Sequence, residues 1–237
     1  MKAKLRSILI LIVAIAGVQG ARAAGEAREV AAFSEISLRV PAKLYLKQGE
    51  SQSVEIVGKE STLEQIITEV KNRQLVVRFR AKNYVWKDFT DGKVEIFVVV
   101  PEISGLSVSG SGDIISEGEV FSRILDLSVS GSGKLVLNDL KGERVKASIS
   151  GSGDVELAGS GKAVDLSVVI SGSGNFKGLG FASDDVNVKI AGSGDAFVHA
   201  VNTLKIRMAG SGDVIYQGNP LIDQSILGSG KVSAHGN

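Results

Sequence analysis

The chain has 237 residues, of which 27 are lysine or arginine and 26 are aspartate or glutamate, so its formal net charge is +1. It contains no cysteine, which excludes disulfide bonds, cysteine metal ligands and a lipid-anchoring cysteine. Its length and its hydrophobic fraction of 43% suffice for one sizeable core.

Residues 1–23 are predicted to be a secretory signal peptide. A basic start (Lys2, Lys4, Arg6) precedes an apolar run, and Ala21-Arg22-Ala23 fits the small-x-small pattern of a cleavage site. The run is too short to span a bilayer of about 30 Å, although an uncleaved anchor is the alternative. This segment holds four of the 27 basic residues and no acidic one, which leaves a net charge of about −3. We therefore expect an exported protein, periplasmic or extracellular, with no nucleic-acid partner and no transmembrane segment in the mature chain.

Residues 24–237 are predicted to form a single β-solenoid domain, in which 24–105 are irregular first coils and a cap. Apolar and polar residues alternate in three front segments, 36–40, 75–79 and 94–100, which predicts strands. A separate small β-rich domain in this half is the alternative interpretation.

The segment 61–72 predicts one short helix. Its apolar residues follow the i, i+3, i+4, i+7 spacing: Leu63, Ile66, Ile67 and Val70. Ser61 and Glu64 fit a capping box at its start, and Asn72 is a reasonable end.

An aromatic cluster stands between the second and third of these strands. Tyr84, Trp86 and Phe89 form it, and Trp86 is the only tryptophan of the chain. Aromatic side chains on an exposed loop suit stacking on a sugar or anchoring a protein. We interpret these three residues as a candidate partner-binding loop, with the plugging of an open solenoid end as the alternative.

Residues 106–237 contain a repeat marked by Gly-Ser-Gly. Its copies begin at Gly110, Gly131, Gly151, Gly172, Gly192, Gly210 and Gly228. Two residues before each copy stands an apolar residue: Val108, Val129, Ile149, Ile170, Ile190, Met208 and Ile226. Polar residues such as Ser148 alternate with the apolar ones, as in half-buried strands. A further copy at Gly159 lies off this spacing, and we interpret it as a second corner of the coil.

The repeat predicts an all-β, parallel β-helix-like solenoid with coils of about 20 residues. A single coil cannot close a core, whereas stacked coils can pair each strand with its equivalent one coil away. Glycine suits the corners because it adopts positive φ without steric cost. A propeller is the less suitable fold because its blades need about 40 residues, and an antiparallel sandwich does not require identity at a fixed period.

No catalytic residue, cofactor or metal ligand is predicted. The residue after each Gly-Ser-Gly is mostly Asp, Asn or Lys, which resembles a calcium ladder, but Lys134 and Lys231 would place ammonium groups in it. A turn-favouring polar corner explains the same residues. The two histidines, His199 and His235, lie near corresponding corners and are interpreted as surface residues. The repeated serines lack the surroundings of a nucleophile elbow.

The last coil, from Gly228 to Asn237, has little sequence to cover it, and Val232 lies close to the end. An uncovered solenoid end exposes strand edges and core residues. We therefore predict a homo-oligomer through the C-terminal coil or docking on another envelope protein. The shorter final spacings and Gln224, which interrupts the apolar column, favour the alternative of a tapered, monomeric end.

Several features together resemble the bacterial head GIN domain family of auto-transporter adhesins, otherwise described as a domain of unknown function. They are the signal peptide, Phe33-Ser34-Glu35-Ile36, Leu75-Val76-Val77 and the recurrent Val-Ser-Gly-Ser-Gly-Asp. The resemblance covers about residues 30–235. It implies a right-handed parallel β-helix-like fold on the exported side of a bacterial membrane, and it supplies no catalytic motif.

Two functional classes follow. The first is an exported, adhesin-like module of the cell envelope that binds a glycan or protein without catalysis. The second is a carbohydrate-active enzyme, a lyase or hydrolase, on a β-helix. A cleft with two carboxylates about 5–10 Å apart favours the enzyme, and a flat polar face favours binding.

Overall fold

The structure is a computed structural model, and it describes residues 24–80 and 93–236. Within these ranges the chain is almost entirely β. The strands are β1 (Ala24–Ala27), β2 (Glu35–Leu38), β3 (Lys43–Gln48), β4 (Ser53–Gly58), β5 (Ile66–Lys71), β6 (Gln74–Phe79), β7 (Glu95–Val100), β8 (Gly105–Gly110), β9 (Asp113–Ser116), β10 (Glu119–Gly131), β11 (Lys134–Leu137), β12 (Asp139–Gly151), β13 (Asp154–Gly172), β14 (Asn175–Gly192), β15 (Ala196–Gly210), β16 (Val214–Gln217), β17 (Leu221–Gly228) and β18 (Val232–Ala234). The helix α1 is a single turn, Glu60–Leu63.

The repeated coils stack in parallel and in register and form about six turns, which confirms the predicted β-solenoid. Gly131 pairs with Gly110 on one side and with Gly151 on the other, and Ser130 pairs with Ser150. Every Gly-Ser-Gly corner therefore lies beside the next one along the stack.

The core is a set of apolar columns that run through the stack. In one of them Val129, Ile149 and Ile170 are paired neighbours and are at most 2% exposed. Ser148, next to Ile149, is only partly buried and lies on the outward side. Because successive strand residues point to opposite faces, the alternation in the sequence specifies which face is buried.

Glycine is required twice at each corner, for two different reasons. Gly172 has a φ of 127°, a region that side chains with a Cβ rarely adopt. At Gly174, a Cβ would lie 2.1 Å from the carbonyl oxygen of Gly153 in the preceding coil. The second reason is steric, because neighbouring coils approach to the distance of paired strands at the turn itself. The off-spacing Gly159 belongs to this second class, since its Cβ would lie 2.1 Å from Leu140 O.

We name two faces of the solenoid, the serine face and the second face. The serine face contains, in spatial order, β5, β6, β2, β8, β10, β12, β13, β14, β15 and β17. The second face contains β1, β4, β7, β3, β9, β11, β13, β14, β15, β16 and β18. The long strands β13, β14 and β15 contribute to both faces.

The front half stacks out of sequence order. The pair β2 and β3 lies between β6 and β7 on one side and β8 and β9 on the other, with all of these pairings parallel. Beyond them the pairing becomes antiparallel, with β5 on β6, β4 on β7 and β1 on β4. Both faces therefore continue from the front half into the repeats without interruption.

The predicted helix over 61–72 is wrong apart from its first turn. Ile66 to Lys71 form strand β5, and Asn72 and Arg73, with φ of 51° and 62°, make a two-residue turn into β6. Two consecutive residues of positive φ are typical of a type I′ hairpin. β-Branched residues at 66, 67, 68 and 70 favour the strand, and the helical spacing of the apolar residues was coincidental.

Among the helices in the described ranges, none is long and apolar enough to cross a membrane.

Candidate binding surfaces

The aromatic residues proposed as a partner-binding loop, Tyr84, Trp86 and Phe89, lie outside the described residues. The described chain stops at Arg80, just after β6, and resumes at Lys93, just before β7. Their role as a binding loop therefore stays a prediction.

The polar residues after each Gly-Ser-Gly form a ladder of hydrogen bonds. Asp154 Oδ1 accepts from the backbone N–H of Asn175 at 3.1 Å, and Asn175 Oδ1 accepts from the N–H of Asp195 at 3.2 Å. Asp195 Oδ1 accepts from the N–H of Asp213 at 2.8 Å. These oxygens thus satisfy backbone donors of the neighbouring coil, which is the behaviour expected of a polar corner. In the described ranges, no group of three His, Cys, Asp or Glu residues could hold a metal ion.

The two histidines lie on the second face, His199 one coil before Gln217 and His235 one coil after it. His199 pairs with Gln217 in the β15–β16 register, and the backbone N–H of His235 donates to Tyr216 O at 2.7 Å. His199 is half-buried and His235 is exposed. The structure places them on one column with Gln217 between them.

The serine face carries straight columns of small side chains. One column consists of the paired residues Ser109, Ser130, Ser150, Ser171, Ala191 and Ala209. The Gly-Ser-Gly serines form a second column, and all of its members are exposed: Ser111, Ser132, Ser152, Ser173, Ser193, Ser211 and Ser229. This part of the surface consequently carries two rows of small side chains, most of which bear a hydroxyl group.

At its front end the serine face becomes concave, and we call this concavity the hairpin groove. It measures about 890 Å³, and its lining residues are Glu35, Arg39, Glu69, Lys71, Asn72, Gln74, Val76, Arg78 and Phe79. Leu75 and Val77 of β6 are fully buried in the core, so the alternate residues Gln74, Val76 and Arg78 face outward.

One carboxylate of the groove is held by two cations. Arg78 Nε donates to Glu69 Oε1 at 2.8 Å, and Lys71 Nζ lies 3.0 Å from Glu69 Oε2. The hydrogen bond from Arg78, followed by that from Lys71, lowers the pKa of Glu69 below its ordinary value. Glu69 is therefore ionised throughout the neutral range.

The opposite wall is fixed by two further hydrogen bonds. Gln74 Nε2 donates to Glu35 Oε2 at 3.2 Å, and Arg39 Nε donates to Ser37 Oγ at 3.0 Å. Val76 points outward but is only 5% exposed, which makes it the apolar floor beneath these long side chains. Within the described residues, the Arg39 guanidinium makes no other hydrogen bond, so its remaining donors are available to a ligand.

The groove was not anticipated from the sequence. Its residues come from β2, from Arg39 directly after it, and from the β5–β6 hairpin, which the helical interpretation of 61–72 does not predict. The signal that could have revealed it is Asn72, because Asn tolerates positive φ and a turn residue between two segments rich in β-branched residues favours a hairpin.

Comparison with known proteins gives one family. The family model described as "Putative auto-transporter adhesin, head GIN domain" matches residues 32–220. No curated protein matches the chain.

Solved structures share the fold at low sequence identity. A crystal structure named a "putative adhesin", from Bacteroides fragilis NCTC 9343, is 22% identical with a TM-score of 0.82, and the match covers 91% of this chain and 98% of that one. A "putative lipid binding protein" from Parabacteroides distasonis ATCC 8503 is 21% identical with a TM-score of 0.72, over 90% and 97%. A "putative adhesin" from Parabacteroides merdae ATCC 43184 is 23% identical with a TM-score of 0.70, over 90% and 96%.

Proposed function

The chain belongs to the head GIN domain family of auto-transporter adhesins, and from this membership we propose that it is an exported, non-catalytic module that binds a glycan of the cell envelope through the hairpin groove. The predicted signal peptide at 1–23 supports the export, as does the family's name. The observation that carries the proposal is the groove itself, whose polar side chains are fixed in place around an apolar floor.

The lining of the groove suits a sugar better than an acyl chain. Seven of its nine lining residues carry charged or amide side chains, and Val76 and Phe79 are the apolar ones. Sugars present many hydroxyl groups, which such donors and acceptors can satisfy when both partners lose water. A lipid tail requires a mainly apolar groove, so the name of the Parabacteroides distasonis protein does not decide the ligand here.

Pre-organisation of the groove lowers the entropy that binding would otherwise cost. Long side chains lose about 0.5–1.5 kcal/mol each when a ligand immobilises them. Here Arg78, Lys71 and Gln74 are held by the groove's own carboxylates. Arg39 supplies unpaired guanidinium donors, which favours a saccharide that carries a carboxylate group.

The enzyme alternative needs a carboxylic acid in the groove, and Glu69 does not suit that role. A glycosidase acid has a raised pKa so that it holds a proton to donate. Arg78 and Lys71 lower the pKa of Glu69 instead. Glu35, the other carboxylate, accepts a hydrogen bond from Gln74. We therefore propose that both carboxylates orient the groove and bind ligand hydroxyl groups.

A glycan array with the purified protein tests this proposal. We expect binding to acidic saccharides, lost in Arg39→Ala and weakened at least about tenfold in Gln74→Ala, a factor that corresponds to one charged or amide hydrogen bond. Lys146→Ala is the matched control, because Lys146 is exposed on the same face but outside the groove. Saccharide binding that is equal in all four proteins would reject the groove as the site, and turnover of a bound saccharide would reject the non-catalytic role.

A further inference from the structure

The last coil ends the serine face with an apolar strand. Strand β17 pairs with β15, so that Leu204 lies beside Ile222 and Met208 beside Ile226. Leu204 is fully buried, whereas Ile222 is 41% exposed. Ile222, on the core-facing side of β17, is therefore far more exposed than Leu204, its neighbour in β15.

The outward side of the same strand is also apolar at both ends. Leu221 is 80% exposed and Leu227 is 74% exposed. Between them Asp223 is held by Arg207, whose Nη2 lies 2.9 Å from Asp223 Oδ2. In the described chain β17 pairs only with β15, so its other edge presents unpaired backbone donors and acceptors, a template for a further strand.

We propose that this edge binds a second copy of the chain, by antiparallel pairing of β17 with β17 around a two-fold axis at Gln224. In this register Leu221 lies opposite Leu227 of the other copy, and Ile222 lies opposite Ile226. Gln224 faces its own counterpart on the axis. Leucine thus meets leucine outside, isoleucine meets isoleucine inside, and the two amides can hydrogen-bond to each other.

The neighbouring registers are poorer, which makes the proposal specific. If one strand slides by two residues so that the axis passes through residue 223, Asp223 lies opposite Asp223 of the other copy, and like charges directly opposite are destabilising. The shift in the other direction places Asp223 opposite Leu227. A slide by a single residue would place the inward-facing residues of one strand opposite the outward-facing residues of the other. The self-complementary pattern is thus satisfied in the register centred on Gln224.

The geometry also favours a closed dimer over a filament. A head-to-tail stack would place β17 against β5, which is the last strand of the serine face at its other end among the described residues. The outward side of β5 carries Glu69 and Lys71, whose charges would lie near Leu221 and Leu227. A two-fold contact joins identical surfaces and closes after two copies.

Single cysteines test the register, since the natural chain has none. Residues opposite each other in antiparallel strands have Cα atoms about 4.5–5.5 Å apart, within the range of a disulfide. Under oxidising conditions we expect Gln224→Cys to form a covalent dimer on a non-reducing gel, and Ser225→Cys and Asp223→Cys to remain uncrosslinked. A dimer from either of the latter two, in place of Gln224→Cys, would overturn the proposed register.

Light scattering across a concentration series tests the association itself. We expect a dimer for the natural protein and an association weakened about tenfold for Leu221→Asp, because an aspartate would replace leucine in both Leu221–Leu227 pairs of the contact. Val164→Asp is the control, since Val164 is 50% exposed elsewhere on the surface, and it should dimerise normally. A natural protein that stays monomeric at high micromolar concentration, or that forms open filaments, would overturn the proposal.

Discussion

Replacing a single core residue by aspartate tests whether the alternation of the repeat sets the buried face. Ile149 is 2% exposed and lies between Val129 and Ile170 in the middle of the stack. Ser148, its neighbour, is on the outward side between Ser128 and Val169. We expect Ile149→Asp to destabilise the protein severely and Ser148→Asp to leave it nearly unchanged.

The two substitutions differ by several kcal/mol. Ile149→Asp loses the burial of a full aliphatic side chain, about 1.5–3 kcal/mol, and adds the cost of an unpaired buried carboxylate, which is at least several kcal/mol. Ser148→Asp is a surface change, within about 0.5 kcal/mol. Since natural domains are stable by about 5–15 kcal/mol, the first change consumes much of the total.

Urea unfolding followed by circular dichroism gives the comparison, at pH 7 and at pH 4. Burial raises the pKa of the introduced carboxyl group above its value in the unfolded chain, so its penalty is largest at neutral pH and shrinks on acidification. We therefore expect a large difference between the variants at pH 7 and a smaller one at pH 4. Equal unfolding midpoints for the two variants at pH 7 would refute the assignment of the buried face.

Three further outcomes are expected. Gly172→Ala should lower the unfolding midpoint by an amount equivalent to about 1–3 kcal/mol, because Gly172 has a φ of 127° and its Cβ would lie 2.4 Å from Gly151 O. Gly161→Ala is the control and should unfold like the natural protein, because the nearest atom to its Cβ would lie 3.5 Å away. The pKa of Glu69 is lowered in the folded state, so its ion pairs stabilise the protein at neutral pH, and this stabilisation is lost as the pH falls through the lowered pKa. In Glu69→Gln, stability measured by urea titration should therefore fall less steeply on acidification than in the natural protein. Trp86 is the only tryptophan, so if its loop contacts the ligand, intrinsic fluorescence should change on titration with a saccharide from the array, and an unchanged spectrum at saturation would remove the loop from the binding site.

The repeats could be predicted from the sequence because each coil carries the whole pattern in about 20 residues. An apolar residue at the position of Ile149 and a glycine at the position of Gly151 recur in every copy, and parallel stacking in register is the arrangement that buries such an apolar column. The face, the register and the corner chemistry of Asp154 all follow from this local pattern.

The front half could not be predicted in the same way. Strand β2 pairs with β6 and β8, and nothing in its own four residues specifies partners so distant in the chain. The segment 61–72 also satisfied helical spacing while its β-branched residues favoured a strand, and tertiary pairing with β6 decided between them. The hairpin groove, built from these elements, was hidden for the same reason.

The out-of-order stacking of the front coils has a consequence for how the protein folds. Ser34 and Ser104 are hydrogen-bonded although they lie 70 residues apart in sequence, so the first coil to be synthesised gains its second neighbour only after β8 has been made. Closing such a long loop costs more entropy than closing one repeat. Each later coil then finds its template in the coil made immediately before it. We therefore expect the slow step to be assembly of strands β2 to β9, after which the remaining coils add one by one to this completed first part.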